Sequence, residues 1–303
     1  MTRLPNLYVI WLEWPEACFR ADARALRALA SLVPRGSRVV RVRSEAAFLR
    51  ILPKATHVLV WTFRKEWFAN APRLRLLATP AAGQELVPTE GPAGVRIHFG
   101  HFQGQIMAES VAAFVLAWAR GFFSPERVQG AWPRTALSGR CYEVAGTKAV
   151  IVGYGNVGRV IGAKLRALGV EVAGFGRRNV AKLPRALPSA DWLVLALPST
   201  TGTDDFLDAA LLGKLPRRCV VVNVGRGNAV DERALYAALK ARRIAGAYLD
   251  VRKHESSGVE LDFGRNAKGL ASLENCILMP HASAFSPRYI CLCLEELKND
   301  GCL

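Results

Sequence analysis

The glycine-rich segment Gly153-Tyr154-Gly155-Asn156-Val157-Gly158 directly follows an apolar run at 148–152. Glycines at this spacing suit contact with a pyrophosphate. Gly153 permits a tight turn, Gly155 lets backbone approach the phosphates, and Gly158 lets helix and strand pack closely. The helix N-terminus then faces the anion. Val157, Val160, Ile161, Leu165 and Leu168 recur at helical spacing, and Gly169 stops that helix. Residues 170–175 read as the next strand and end in Phe175-Gly176-Arg177-Arg178. A site built for NAD would place a carboxylate there to bind the ribose hydroxyls, whereas Glu171 lies at the wrong end of the strand. Arg177 and Arg178 suit a 2′-phosphate instead, through charge-assisted and stacking contacts, which predicts NADP(H) in preference to NAD(H).

Three further residues stand where apolar runs finish: Arg226 after 221–225, Asp250 after 246–249, and His281 after Met279-Pro280. In an open α/β sheet the strand C-termini line the ligand crevice, so this pattern alone puts Arg226, Asp250 and His281 at the site. The elements that must position them follow from alternating apolar runs and helical stretches. In the first third, 8–11, 39–42, 57–61 and 74–77 read as strands, with a helix over 22–32 between the first two. A second series runs from about Lys148 to His281, and an apolar helix over 107–120 joins the two. Residues 121–146 read as an irregular connection. The expected fold is α/β, with two doubly wound parallel-sheet domains and a cleft between them, the second a Rossmann dinucleotide-binding domain. The expected boundaries are 1–106, completed by 284–303, for the substrate domain and 107–283 for the dinucleotide domain.

Composition excludes several other classes. With 51% hydrophobic and 22% charged residues the chain can build a sizeable core. Its longest apolar candidate, 111–119, is too short to span a membrane, and the first residues carry Glu13 and Glu16 where a secretory signal would be apolar. A cytoplasmic protein without a membrane partner is expected. Seven cysteines with no C-x-x-C pair argue for reduced thiols, against a disulfide framework and against a metal site. The net charge of +16 is spread along the chain without a basic run or a nucleic-acid-binding signature, so small anions, not a specific nucleic acid, are the expected partners. His57 and His98 carry no partner pattern. His101 reads as a loop histidine at the cleft or on the surface. Trp61 and Phe63, at a strand end, line either a pocket or the core.

In order along the chain come the glycine turn, Leu197-Pro198-Ser199-Thr200 with Thr203, Asn223-Val224-Gly225-Arg226-Gly227, Leu249-Asp250-Val251 and Pro280-His281. This ordered set resembles the D-isomer-specific 2-hydroxyacid dehydrogenase family from about Leu74 to the end of the chain. The resemblance is strongest over 144–251. It implies that Leu197, Pro198, Thr203, Val224, Gly225 and Asp250 join the glycine turn at the cofactor. It further implies that Arg226 grips the 2-oxo acid, that His281 is the general acid, and that Glu255, five residues after Asp250, orients the imidazole. The turn Thr79-Pro80-Ala81-Ala82-Gly83-Gln84-Glu85 resembles the one whose backbone N–H groups receive the substrate carboxylate, which points to Ala82 and Gly83. Arg252 and Ser256 stand where the family usually has Phe and Pro. A glutamate at 255 also differs from the glutamine of the formate-oxidising branch. The implied activity is reduction of a small 2-oxo acid of the glyoxylate or hydroxypyruvate type by a homodimer. Alternatives are a phosphorylated or bulkier 2-hydroxy acid as substrate, or a dinucleotide-sensing regulatory protein.

Overall fold

The computed structural model describes residues 5–124, 134–253 and 268–303. Among these, every strand pairing within the two sheets is parallel. The chain divides into two units, residues 1–103 with 285–303 and residues 104–284.

The first unit carries β1 (Leu7–Trp11), β2 (Arg38–Arg41), β3 (His57–Val60), β4 (Leu76–Thr79) and β5 (Arg96–Phe99), in the order β2-β1-β3-β4-β5. Four residues of β1 and all of β4 are buried, as expected for a parallel sheet covered on both faces. Helix α1 (Ala23–Leu32) starts where the Asp22 side chain accepts from Ala25 N at 2.8 Å, and α2 (Glu45–Ile51) where Ser44 accepts from Ala47 N at 3.2 Å. Phe63 packs with Phe48, Trp67 and Phe68, while Trp61 stacks among Trp14, Phe19 and Tyr289 and donates its indole N–H to Phe19 O. Both are buried core residues, which resolves the choice between pocket and core that the sequence left open.

Two strand readings need correction. The strand expected at 74–77 begins two residues later, because Leu74 N closes a turn onto Ala71 O before Arg75 N and Leu76 N join Thr56 O. Strand β5 was not anticipated. It is an edge strand of four residues, too short and too polar to show periodicity.

The α3 helix (Gln103–Ala119) leads into the second unit, where the 121–146 stretch read as irregular contains α4 (Arg134–Ser138). The second sheet has the order β11-β10-β9-β8-β6-β7. Its strands are β6 (Lys148–Val152), β7 (Glu171–Phe175), β8 (Trp192–Leu195), β9 (Val220–Asn223), β10 (Gly246–Leu249) and β11 (Cys276–Leu278). Helices α5 (Asn156–Ala167), α6 (Leu183–Ala186), α7 (Ala209–Leu212), α8 (Glu232–Lys240) and α9 (Lys268–Ala271) connect them. The usual Rossmann half has a third strand beyond the second. Here short helical turns over Val180–Lys182, Leu183–Ala186 and Leu187–Ser189 replace it, so β7 is the edge. Chain direction along the sheet reverses between β6 and β8, the switch point at which such folds bind ligands. Strands β8, β9 and β10 are buried throughout. Burying each such Leu or Val side chain stabilises by roughly 1.5–3 kcal/mol.

The C-terminal segment returns to the first unit as α10 (Tyr289–Asn299), with Cys293 and Leu294 fully buried. All seven cysteines are free. Burial, reinforced by the Asp191 charge, pushes the Cys219 thiol up to about 12, and burial raises Cys276 to about 12 as well. These thiols stay protonated and unreactive at neutral pH. Among the described residues no helix is long and apolar enough to cross a membrane.

Candidate active site

The glycine turn sits at the switch point, directly after β6. Gly153 has φ +89°, and a Cβ there would lie 2.4 Å from Ala196 O. A Cβ at Gly158 would lie 2.3 Å from Gly153 O, so α5 packs against the turn only because this position has no side chain. Around Gly155 the opposite holds: a Cβ would meet nothing within 4 Å. Gly155 is also the N-cap of α5 and makes no side-chain cap. The open space beside Gly155, at the start of a twelve-residue helix, suits a bound phosphate. Tyr154 and Asn156–Val157 occupy the rest of the turn. Tyr154 N donates to Phe175 O, and its ring covers Gly174 and Gly162, where any Cβ would come within 3 Å of the ring. The Arg166 guanidinium donates to Tyr154 Oη at 2.9 Å.

At the end of β7, Asn179 shapes the turn by accepting from Gly176 N at 2.8 Å and donating to Gly174 O at 3.0 Å. Arg177 and Arg178 are exposed there, and among the described residues neither joins an ion pair. Leu197 and Pro198 follow β8. Thr203 Oγ1 donates to Pro198 O at 2.8 Å and accepts from Thr200 N at 2.9 Å, closing the loop on itself. Gly225 presses against that loop, since a Cβ would lie 2.5 Å from Leu197 N.

Asn223, fully buried at the end of β9, accepts from Gly225 N at 3.1 Å and donates to Arg226 O at 3.1 Å. It thereby sets the turn through Val224 that carries Arg226, whose guanidinium also reaches Gly225 O at 3.1 Å. The motif in the sequence includes Asn223 but does not disclose that its buried amide sets this turn. Gly227 is forced by its neighbour: a Cβ would fall 1.9 Å from the Arg252 backbone. The Arg252 side chain, at the usual Phe position, lies 3.6 Å from Glu232.

Asp250, at the end of β10, is held by the turn after β11. Its carboxylate is 1% exposed and accepts from Ala282 N at 2.9 Å and Ser283 N at 3.0 Å. Its backbone oxygen takes His281 N at 2.8 Å. The physical reason is proximity: β10 and β11 are paired, so the residue ending β10 meets the turn that follows β11. Asp250 is thus a positioning residue for His281. That histidine is exposed and has φ +53°, in the left-handed region that non-glycine residues seldom enter. Glu255 lies outside the described residues.

In the first unit, Ala82 is exposed and Gly83 half-buried, in a turn that begins where Thr79 Oγ1 accepts from Ala81 N at 3.2 Å. His98, which carries no partner pattern in the sequence, has a partner in the fold. Its Nε2 lies 3.0 Å from Glu296 Oε1, and His101 Nε2 lies 3.3 Å from Glu296 Oε2. The partner is 198 residues away in sequence, so no local pattern announces it.

A parallel sheet with an open glycine turn and an uncapped helix N-terminus at its switch point defines a dinucleotide-binding domain. Residues 112–283 match the D-isomer specific 2-hydroxyacid dehydrogenase NAD binding domain, and the chain belongs to that family. D-3-phosphoglycerate dehydrogenase 1 of Saccharomyces cerevisiae is 34% identical over 191 residues, 58% of this chain but only 40% of the yeast protein. Glyoxylate reductase of Thermococcus kodakarensis is 27% identical over 271 residues, 82% of this chain and 77% of that one. Among solved structures, a family member from Xanthobacter autotrophicus in complex with NADPH and MES superposes with a TM-score of 0.72 at 25% identity, covering 97% and 96% of the two chains. An NAD-complexed member from Lactobacillus delbrueckii ssp. bulgaricus, at 15% identity, shares the fold with a TM-score of 0.78 over 97% and 96%.

Proposed function

We propose that the protein reduces a small 2-oxo acid, of the glyoxylate or hydroxypyruvate type, to the D-2-hydroxy acid, with NADP(H) preferred over NAD(H). The observation that carries this reading is the presentation of His281. An exposed imidazole stands at the C-terminal edge of the sheet that bears the open glycine turn, held there by a buried carboxylate. A regulatory dinucleotide sensor has no need of an imidazole in a strained backbone conformation. The dinucleotide, when bound along Gly153–Gly158, supplies the hydride that reduces the carbonyl carbon. His281 gives the carbonyl oxygen its proton and is reprotonated from solvent. Arg226 grips the carboxylate and carbonyl oxygens with its planar fork, and stabilises charge that develops on the latter. By family resemblance, Glu255 orients His281, and the backbone at Ala82 and Gly83 receives the substrate carboxylate. Leu197, Pro198, Thr203, Val224 and Gly225 shape the loops beside the glycine turn and so border the dinucleotide. A cytoplasmic homodimer is the expected working form.

Support for NADP(H) comes from exposed Arg177 and Arg178, with no carboxylate at the end of β7. The family includes NADPH-bound and NAD-bound members, so this chain's own residues carry the argument. Steady-state kinetics with glyoxylate, hydroxypyruvate, their phosphorylated and bulkier analogues, and both cofactors tests the reading. Turnover of the small acids is expected, with kcat/KM at least tenfold higher for NADPH. The double substitution Arg177→Ala, Arg178→Ala should erase that preference. Cofactor binding without turnover of any 2-oxo acid would establish the sensor alternative, and an intrinsic preference for NADH would refute the role of the arginines.

A further inference from the structure

We propose that His98, His101, Glu296 and Asp300 form a binding site for one divalent transition-metal ion, of which Zn2+ is the type. One donor atom from each residue falls in a cluster whose members all lie within 4.8 Å of one another. His98 Nε2 lies 3.0 Å from Glu296 Oε1 and His101 Nε2 lies 3.3 Å from Glu296 Oε2, while Asp300 Oδ2 is 3.8 Å from both His98 Nδ1 and His101 Nε2. Zinc binds imidazole and carboxylate at about 2.1 Å, which sets neighbouring tetrahedral ligands about 3.4 Å apart. His98 would ligate through one ring nitrogen, so the four side chains draw together from within the 4.8 Å cluster to admit an ion.

The backbone already fixes the four positions. His98 lies in β5 and His101 three residues on, just before α3. Glu296 and Asp300 are four residues apart on the last turn of α10 and at its C-cap, and so share one side of the helix. The Glu296 carboxylate also accepts from His101 N at 3.1 Å, which aims it at the two rings. Arg96 is the nearby cation, and it donates to the backbone oxygens of Asp300 and Gly301, leaving the Asp300 carboxylate to the imidazoles. Cys302 Sγ lies 3.8 Å from His98 Nδ1.

Electrostatics favours a cation on two counts. Two carboxylates and two neutral imidazoles carry a formal charge that a divalent ion cancels, and His98 and Glu296 are only 7% and 8% exposed, where screening is weak. The C-terminal end of α10 also contributes its negative dipole end. With half the donors nitrogen, the set selects zinc-like ions over magnesium and calcium. His101 is 44% exposed and gives the ion a path in. A bound ion would tie the returning segment 285–303 to the end of β5 within the first unit.

The test uses the full-length protein stripped with chelator, titrated with ZnCl2 by calorimetry and melted with and without Zn2+. His101→Ala and Asp300→Asn alter the two more exposed ligands and leave the buried pair in place. One Zn2+ per chain, a rise in Tm, and at least tenfold weaker binding in each variant are expected, with MgCl2 leaving Tm unchanged. Cobalt substitution should give the visible absorption of a tetrahedral ion in the wild type alone. No saturable binding, equal affinity in the wild type and both variants, or an equal response to Mg2+ would overturn the proposal.

Discussion

His281 and His98 both stand near the ends of parallel strands and both depend on a buried carboxylate, yet the carboxylates act on different parts of them. Glu296 faces the His98 ring itself at 3.0 Å, inside a side-chain cluster. Asp250 spends its oxygens on the backbone N–H groups of Ala282 and Ser283, holding the chain around His281 while the imidazole stays exposed. A carboxylate bonded to a ring restrains that ring. One bonded to the neighbouring backbone fixes where the chain presents it, and an exposed imidazole can exchange protons with a substrate.

The largest expected effect breaks the comparison at its reactive member. His281→Ala should lower kcat by roughly 10²–10⁴-fold while the dissociation constant for NADPH, measured by fluorescence titration, changes little. An unchanged kcat would mean that presentation of this ring has no catalytic meaning. Asp250→Ala should act on both stability and rate, since it orphans one buried and one half-buried backbone donor. A loss of about 3 kcal/mol by urea denaturation is expected, accompanied by a fall in kcat. Loss of stability with full activity would show that the turn holds His281 without Asp250.

Glu296→Ala should cost about 2 kcal/mol in metal-free buffer, because the buried His98 ring and the His101 backbone N–H lose their acceptor. The smallest effect concerns a third histidine. His57 stacks on Tyr8 at 4.2 Å, and burial followed by the Arg75 charge lowers its pKa to about 4. Because the folded value lies below the ordinary 6.5, the unfolded chain takes up the proton first. The His57 contribution is therefore complete above pH 6.5 and is lost as pH falls toward 4. The slope should be a fraction of the ~1.4 kcal/mol per pH unit that one proton can supply, given partial exposure. His57→Gln should flatten the acid side of the Tm–pH curve by that amount, and an identical curve would contradict the half-buried, depressed imidazole.

Legibility in the sequence followed contact distance. The glycine turn and Arg177-Arg178 could be read because their chemistry is local: a strand, a turn and a helix within thirty-one residues, 148–178. The pairing of both sheets as all-parallel was also legible, since alternating apolar runs and helices allow little else. The start of β4 was not, because Thr56, the residue before β3, decides which residue first joins the ladder. Nor was the job of Asp250: its type and place were visible, but its hydrogen bonds run to residues thirty-two and thirty-three positions later.

By itself, then, the sequence determined the repeating α/β grain, the family, the open phosphate-facing turn and the strand ends at which polar residues would collect. Those features depend on period, residue volume and backbone freedom, which are properties of neighbours along the chain. The tertiary structure alone decided that Trp61 and Phe63 are core, that Asp250 serves His281, and that His98 and His101 meet Glu296 and Asp300. Hydrogen bonds and metal coordination act over about 2–4 Å. Which distant residues come within that reach is set by strand order and by the return of α10, and neither is written in any local stretch of sequence.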